Sequence, residues 1–330
     1  MLVFYMRIKK AIFNPMEIIS ETYTIAFYNI ENLFDIKNDP HKHDNDFLPN
    51  SPKRWTRKRY EKKLLKLGTV ISKIGEDNAE NAPVLVGLAE VENSKVVSDL
   101  VKSKNLIEES YSFIHYDSPD ERGIDVALLY KSDGFKVENS ETFSVYFEKE
   151  LGKQDYTRDV LLVQGKLNDE SVNVIVNHWS SRREGIKETE FKRIAAAKVV
   201  NTIIENLKQE NPNAKFIVMG DFNDNPNSNS ITLLEKESQL FNPFKTVWSR
   251  EKGSLNHNFQ WNLFDQILFS TNFFDVHNST LKFESADVFN SKFLTQYQGK
   301  YKGQPFRTYV GTTYKGGYSD HFPVYIKFEY

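Results

Sequence analysis

The chain of 330 residues contains no cysteine, which removes disulfides, thiolate nucleophiles and cysteine-ligated zinc from consideration. Charge of one sign is also lacking. The 43 basic and 45 acidic residues give a formal net charge of −2, so no global positive field draws the protein to a polyanion. Attraction to phosphate must then be local or carried by bound metal. No uninterrupted apolar run reaches the length of a membrane span. The opening MLVFYMRIKKAIFNP places its apolar residues ahead of its charges, the reverse of a secretory signal. The expectation is a cytoplasmic protein with no membrane span. Residues 1–20 read as a leader, and no Gly-, Ser- or Pro-rich linker divides 21–330, which is expected to form one domain and to act as a monomer.

What is present is a large supply of core-forming residues, 39% hydrophobic and 14% aromatic, enough for one large core. Thr22–Phe27 reads as a first strand closed by Tyr28-Asn29, and residues 36–54, rich in Asn, Asp, Pro and His, as a loop. Apolar residues at helical spacing predict an amphipathic helix over Thr56–Ile74 and another over Thr189–Leu207, with a shorter one through Ile231–Leu234.

A recurring pattern is more informative than any single element. Val84–Ala89 stops at Glu90, Val172–Val176 at Asn177-His178, and Phe216–Met219 at Gly220-Asp221, each an apolar strand that ends on a polar group. Three others reverse the order: Asp125 precedes VALLY, Asp265 precedes QILF, and Asp320-His321 precede FPVYIKF. If all these groups share one rim, the two sets of strands run in opposite directions, and mixed sheets with a site on one edge follow. Two such sheets packed together with helices outside give an α/β four-layer sandwich.

The strand-end list, Asn29, Glu90, Asp221, Asn223, Asp265 and Asp320 with His178 and His321, is a set of hard oxygen donors beside two imidazoles. That combination suits a divalent cation and phosphoester hydrolysis. Singly, each is more often a turn-former, a cap or a satisfied polar group.

Together, FYNIENLFD (Phe27–Asp35), GLAEVEN (Gly87–Asn93), RGIDVALLY (Arg122–Tyr130), NHWSSR (Asn177–Arg182), GDFND (Gly220–Asp224), FDQILF (Phe264–Phe269) and YSDHFPV (Tyr318–Val324) resemble the motif series of the endonuclease/exonuclease/phosphatase superfamily, in its order and over nearly the whole chain. Ala89 departs from it, standing where many members have Gln.

The resemblance implies a deoxyribonuclease-I-like sandwich and a Mg²⁺-dependent phosphoesterase, with Mn²⁺ or Ca²⁺ as alternatives. Glu90, Asn29 and Asp320 match its metal ligands. His321 matches the histidine that contacts the scissile phosphate or activates water, and Asp265 the carboxylate that orients it. Asp221 and Asn223 match an Asp-x-Asn pair that handles nucleophile or leaving group and phosphate, and His178 a phosphate-binding histidine. A phosphodiester, with nucleic acid as the preferred class, is the expected substrate. A phosphomonoesterase or a lipid or inositol phosphatase is the alternative on the same fold. Trp261–Asp265 lacks the Arg that follows this Asp in inositol phosphatases, and Val91-Glu92-Asn93 differs from the abasic-repair signature. A non-catalytic phosphate-binding module is the reading from another class, opposed by the filled acid, amide and histidine positions.

Several residues carry two readings. Arg182, Arg183 and Arg307 could clamp a phosphate or stand as solvated loop arginines. Asp125 could support the site or simply begin a strand. Tyr309, Tyr314 and Tyr318 could stack on a ring or pack locally. The basic run Lys53–Lys66 could follow a nucleic acid, but its place on an amphipathic helix favours a solvated outer face. His41, His43, Asp44 and Asp46 form a local group in a loop with nothing to fix a metal geometry.

Overall fold

The structure is a computed structural model that describes residues 22–76, 81–148, 154–277 and 279–330. The expected leader over residues 1–20 lies outside these. Two six-stranded mixed sheets dominate. The first contains β1 (Thr22–Leu33), β2 (Leu85–Val91), β3 (Tyr111–His115) and β4 (Asp125–Lys131) from the N-terminal half. The second contains β5 (Phe135–Phe143), β6 (Val160–Leu167), β7 (Glu170–His178), β8 (Lys215–Asp221), β9 (Leu240–Phe241) and β10 (Asp265–Ser270). The chain then returns to the first sheet with β11 (Lys282–Val288) and β12 (Val324–Glu329). The spatial orders are β11-β12-β1-β2-β4-β3 and β9-β10-β8-β7-β6-β5.

Each sheet has one parallel pair, β1 with β2 and β7 with β8, and every other ladder is antiparallel. A parallel neighbour requires a crossover. Helix α1 (Arg57–Ile71) lies in the first connection and α3 (Glu190–Glu210) in the second. Helix α2 (Ser94–Val101), which the sequence reading did not anticipate, follows β2 and is capped by Asn93, whose side chain accepts from Val96 N at 3.0 Å. Helix α4 (Asn229–Ser238) packs beside α3. No helix among the described residues is long and apolar enough to cross a membrane.

Alternation along the strands makes the four layers. On β8, Ile217 and Met219 join a core that also holds Ile25, Phe27, Val174, Val176 and Leu64, Leu67 and Val70 of α1. Their neighbours Phe216 and Val218 face the other way, onto Ala196, Val200, Ile203 and Ile204 of α3 and Leu234 of α4. The seam between sheets is tight. A Cβ at Gly87 of β2 would sit 2.4 Å from Met219 Sδ and 2.9 Å from Phe27.

The expected reversal of strand direction is present. Asp221, ending β8, is in register with Asp265, beginning antiparallel β10, and with His178, ending parallel β7. One boundary differs from expectation: β1 continues past Asn29 to Leu33. Its register jumps from Asn29↔Ala89 to Leu33↔Val91, and the irregularity lets the strand resume after its polar residues have turned out of the ladder.

Close packing at the strand end sets the first prediction. A Cβ at Gly220 would lie 2.6 Å from the Asn177 carbonyl oxygen, backbone that cannot swing aside. Gly220→Ala should lower stability by about 1–3 kcal/mol, read as a reduced urea midpoint at unchanged slope. A midpoint equal to the parent's would show that the β7–β8 ladder yields freely.

Candidate active site

Backbone in uncommon conformations presents the site. Glu31, Asn32, Glu90 and Asn223 all have left-handed φ, at 53°, 50°, 68° and 50°, a region non-glycine residues seldom occupy. Glu90 falls at the register shift between Ala89 and Val91 on β2, opposite the irregular stretch of β1. The two distortions fit each other, since Asn32 N donates to Glu90 Oε2 at 2.8 Å. Strain of this kind persists where surrounding contacts over-determine it.

The centre of the rim lies between the sheets. Asp221 and Asp265, from the second sheet, meet Asn29 and His321, from the first. Asn29 Nδ2 donates to Asp221 Oδ2 at 2.9 Å, and Asn223 N donates to Asp221 Oδ1 at 3.0 Å. His321 Nδ1 and Asp265 Oδ2 are 2.6 Å apart. The Asp221 Oδ2 atom is 4.0 Å from His321 Nε2 and 3.7 Å from His178 Nε2. Ligating atoms of Asp221, Asp265 and His321 all lie within 4.8 Å of one another.

Burial and charge set the protonation of this group. Burial, then the charge of Asp265, raises the Asp221 carboxyl to about 7. Burial alone would lower His321, but the carboxylates of Asp265, Asp221 and Asp320 override it and hold the imidazole well above its ordinary value. His178 goes the other way: burial, with the nearby charges of Arg158, Arg122 and His321, holds it neutral.

Beside this centre stand Glu90, Glu31 and Asp320. Glu90 Oε1 has Arg122 Nη2 at 3.7 Å, and Asp320 Oδ2 accepts from Arg307 at 2.8 Å. Lys63 feels the charges of Glu31, Asp320 and Glu90 together, so these acids are concentrated in one place. Carboxylates and an amide oxygen are the ligands small hard cations prefer. Glu90 and Asp320 offer oxygens of that kind, as does Asn29, whose Oδ1 also accepts from Glu31 N at 3.0 Å.

Sequence reading missed the support for these groups. Lys63 was assigned to a solvated helix face, yet it is 2% exposed. Its Nζ donates to Glu31 O at 3.2 Å, Thr308 Oγ1 at 2.5 Å and Tyr318 O at 2.6 Å. Glu31 in turn accepts from Thr308 N at 2.6 Å. Two more basic residues of α1 grip the loop before β12: Lys66 reaches Gly316 O, and Arg59 lies 4.3 Å from the Tyr314 ring centroid. Arg57, Lys58 and Lys62 are exposed, as a solvated outer face requires.

The tyrosines of that loop pack locally. Tyr309 is buried against Trp55 and Phe47 and meets Tyr314 edge to face, and Tyr318 packs against Phe293. Arg182 turns away from open solvent, donating to Asn223 O at 2.7 Å and pairing with Asp224, while Arg183 is exposed. Asp125 is buried, accepting from Ser118 through Oδ1, with His115 Nε2 3.4 Å from Oδ2. The His41–Asp46 group does not converge on a point among the described residues. Asp44 instead accepts from Asp39 N at 2.8 Å and closes its own loop. Arg158, also unflagged, pairs with Asp120 at 3.0 Å and donates to the carbonyls of His178 and Trp179.

A family model described as the Endonuclease/Exonuclease/phosphatase family matches residues 24–330. The chain belongs to this family. It is therefore a hydrolase of phosphoester bonds with a deoxyribonuclease-I-like fold. No curated protein matches the sequence, but many solved structures share its fold. An endonuclease/exonuclease/phosphatase family protein from Bacteroides thetaiotaomicron aligns at 16% identity with a TM-score of 0.60, covering 94% of this chain and 98% of that one. The mannosyl-6-phosphatase Bt3783 of the same organism aligns at 16% and 0.57, covering 93% and 100%. TDP2 from Caenorhabditis elegans aligns at 13% and 0.54, covering 94% and 74%.

In this family member, the Asp120–Arg158 pair generates a second prediction. Both side chains are buried, and removing one partner leaves an uncompensated charge. Arg158→Ala should cost about 3–5 kcal/mol, whereas Arg183→Ala should change stability by less than about 0.5 kcal/mol. Equal midpoints for the two in chemical denaturation would contradict this account of His178's support.

Proposed function

We propose that the chain hydrolyses a phosphodiester by direct attack of water, with nucleic acid as the substrate class and Mg²⁺ as the working cation. The observation that carries this reading is the buried group Asp221, Asp265 and His321, fixed from both sheets at once. Glu90, Asn29 and Asp320 would hold the cation. Once bound, it would supply positive charge to the phosphoryl oxygens and withdraw electrons from phosphorus.

The chain's own residues divide the remaining work. Asp265 fixes the His321 ring through Nδ1, so that Nε2 points toward the reacting phosphate and donates to one of its oxygens. Asp221, held by Asn29 and Asn223, lines up the attacking water and takes its proton. The second imidazole, His178, contributes a neutral N–H donor beside Asp221. Arg307, already next to Asp320, places a guanidinium at the mouth. Arg182 acts indirectly, by holding the Asn223 turn through Asp224.

A second reading rests on a cavity of about 140 Å³ lined by Glu31, Asn32, Lys53, Trp55, Arg307, Thr308 and Asp320, among others. A recess this small suits a compact terminal group better than a continuing polymer, which favours a phosphomonoester. The fold-sharing mannosyl-6-phosphatase bears the same implication.

Activity separates these cases. With Mg²⁺ or Mn²⁺, the protein should turn over bis-p-nitrophenyl phosphate and stop when the cation is chelated. His321→Ala should lower kcat by about 10²–10⁴-fold, and Glu90→Ala should reduce kcat/KM by at least about 100-fold. Either folded variant retaining parental turnover would falsify the assignment. A panel of plasmid DNA, RNA, a sugar monophosphate and an inositol phosphate then decides between diester and monoester. Preference for the monophosphate would replace the first reading by the second.

A further inference from the structure

A second group of metal-type ligands stands at the open end of the β3–β4 hairpin. His115 ends β3, Asp125 begins β4, and Asp117 lies in the loop between. Their ligating atoms lie within 4.8 Å of one another, and the group shares no residue with Asp221, Asp265 and His321. The side chain of His115 is 0% exposed and that of Asp125 2%. His115 Nε2 and Asp125 Oδ2 are 3.4 Å apart, and neither atom makes a hydrogen bond. Leaving buried polar atoms in that condition costs about 1–3 kcal/mol each.

Their opposite atoms are well held. His115 Nδ1 is 3.1 Å from Ser94 Oγ. Asp125 Oδ1 accepts from Ser118 N at 3.0 Å and Ser118 Oγ at 2.5 Å. Each side chain is gripped by its far atom and presents its near one, the way outer partners orient metal ligands. The separation also fits. Two bonds of about 2.0–2.1 Å at a tetrahedral angle place their donors about 3.3 Å apart, whereas a charged N–H···O hydrogen bond draws them to about 2.7–2.9 Å.

We propose that His115, Asp117 and Asp125 form a second cation site, suited to Zn²⁺. One imidazole and two carboxylates suit a borderline transition cation better than Mg²⁺ or Ca²⁺. Asp117, 69% exposed and 3.6 Å from Lys42 Nζ, closes the outer side, and water completes the tetrahedron. The ion would pin a loop that reaches the active site twice. Arg122 donates from it to Asn32 Oδ1 at 3.0 Å and lies beside Glu90, and Asp120 holds Arg158 against the strand end that carries His178. The site thus steadies the catalytic rim from outside it.

The test uses the full chain carrying Glu90→Gln and His321→Ala, so that cation uptake at the active site is suppressed and the catalytic reading is not at stake. After chelation, Zn²⁺ alone is titrated against a chromophoric chelator, with Tm followed in parallel. One Zn²⁺ per chain and a raised Tm are expected. Adding His115→Ala should weaken binding by at least about 100-fold and Ser94→Ala by about 10-fold, as loss of a ligand and of an outer partner respectively. Asp117→Asn, a surface change that does not threaten folding, decides the matter if His115→Ala is unstable, and should also weaken binding by at least about 10-fold. No uptake at micromolar Zn²⁺, or uptake indifferent to Asp117→Asn and to any folded His115 variant, overturns the proposal.

Discussion

The 2.6 Å contact between His321 and Asp265 joins two sheets that share no backbone ladder, and the chemistry of the rim depends on that seam. The proposed set is divided between the sheets. The first supplies Asn29, Glu90, Asp320 and His321, and the second His178, Asp221 and Asp265. The amide of Asn29 reaching Asp221 makes a second bridge at the same level. Core packing between Phe27, Gly87 and Met219 fixes the spacing from below, because a close-packed interior transmits small displacements.

Crowding Glu31, Glu90, Asp221, Asp265 and Asp320 into one partly dry rim carries an electrostatic cost that the fold offsets locally. Asp221 and Glu31 are each pushed up to about 7 by burial, and then by a neighbouring carboxylate. Asp320 behaves differently: desolvation would raise it, yet His321, Arg307 and Lys63 together hold it below its ordinary value. The buried ammonium of Lys63 therefore does what a surface lysine could not, and its own proton affinity is lowered by burial as a result.

Much of this was legible in the sequence because strand alternation and direction leave plain traces. Polar residues at the ends of apolar runs marked one rim, and their order implied two sets of strands running in opposite directions, as β8 and β10 do. The motif blocks then named the groups that meet there. What escaped was whatever depends on three-dimensional neighbours. Lys63 falls on the apolar stripe of α1, three residues after Tyr60 and four before Leu67, but a lysine there reads as solvated until Glu31 and the loop from Arg307 to Tyr318 supply the partners that bury it. Arg158 and Asp120 are 38 positions apart and carry no local signature. Helix α2 could have been found, since Asn93 precedes Val96, Val97, Leu100 and Val101 in a capped amphipathic pattern.

The left-handed backbone at Glu90 carries an evolutionary consequence. A side chain in that conformation forgoes on the order of 1–2 kcal/mol that glycine would not, so under the proposed role of Glu90 as a cation ligand, drift toward stability and selection for turnover act on this position in opposite directions. A descendant freed from catalysis could relax there first. Glycine in place of Glu90, with the neighbouring strands otherwise intact, would mark a lineage that had kept the scaffold and abandoned its reaction.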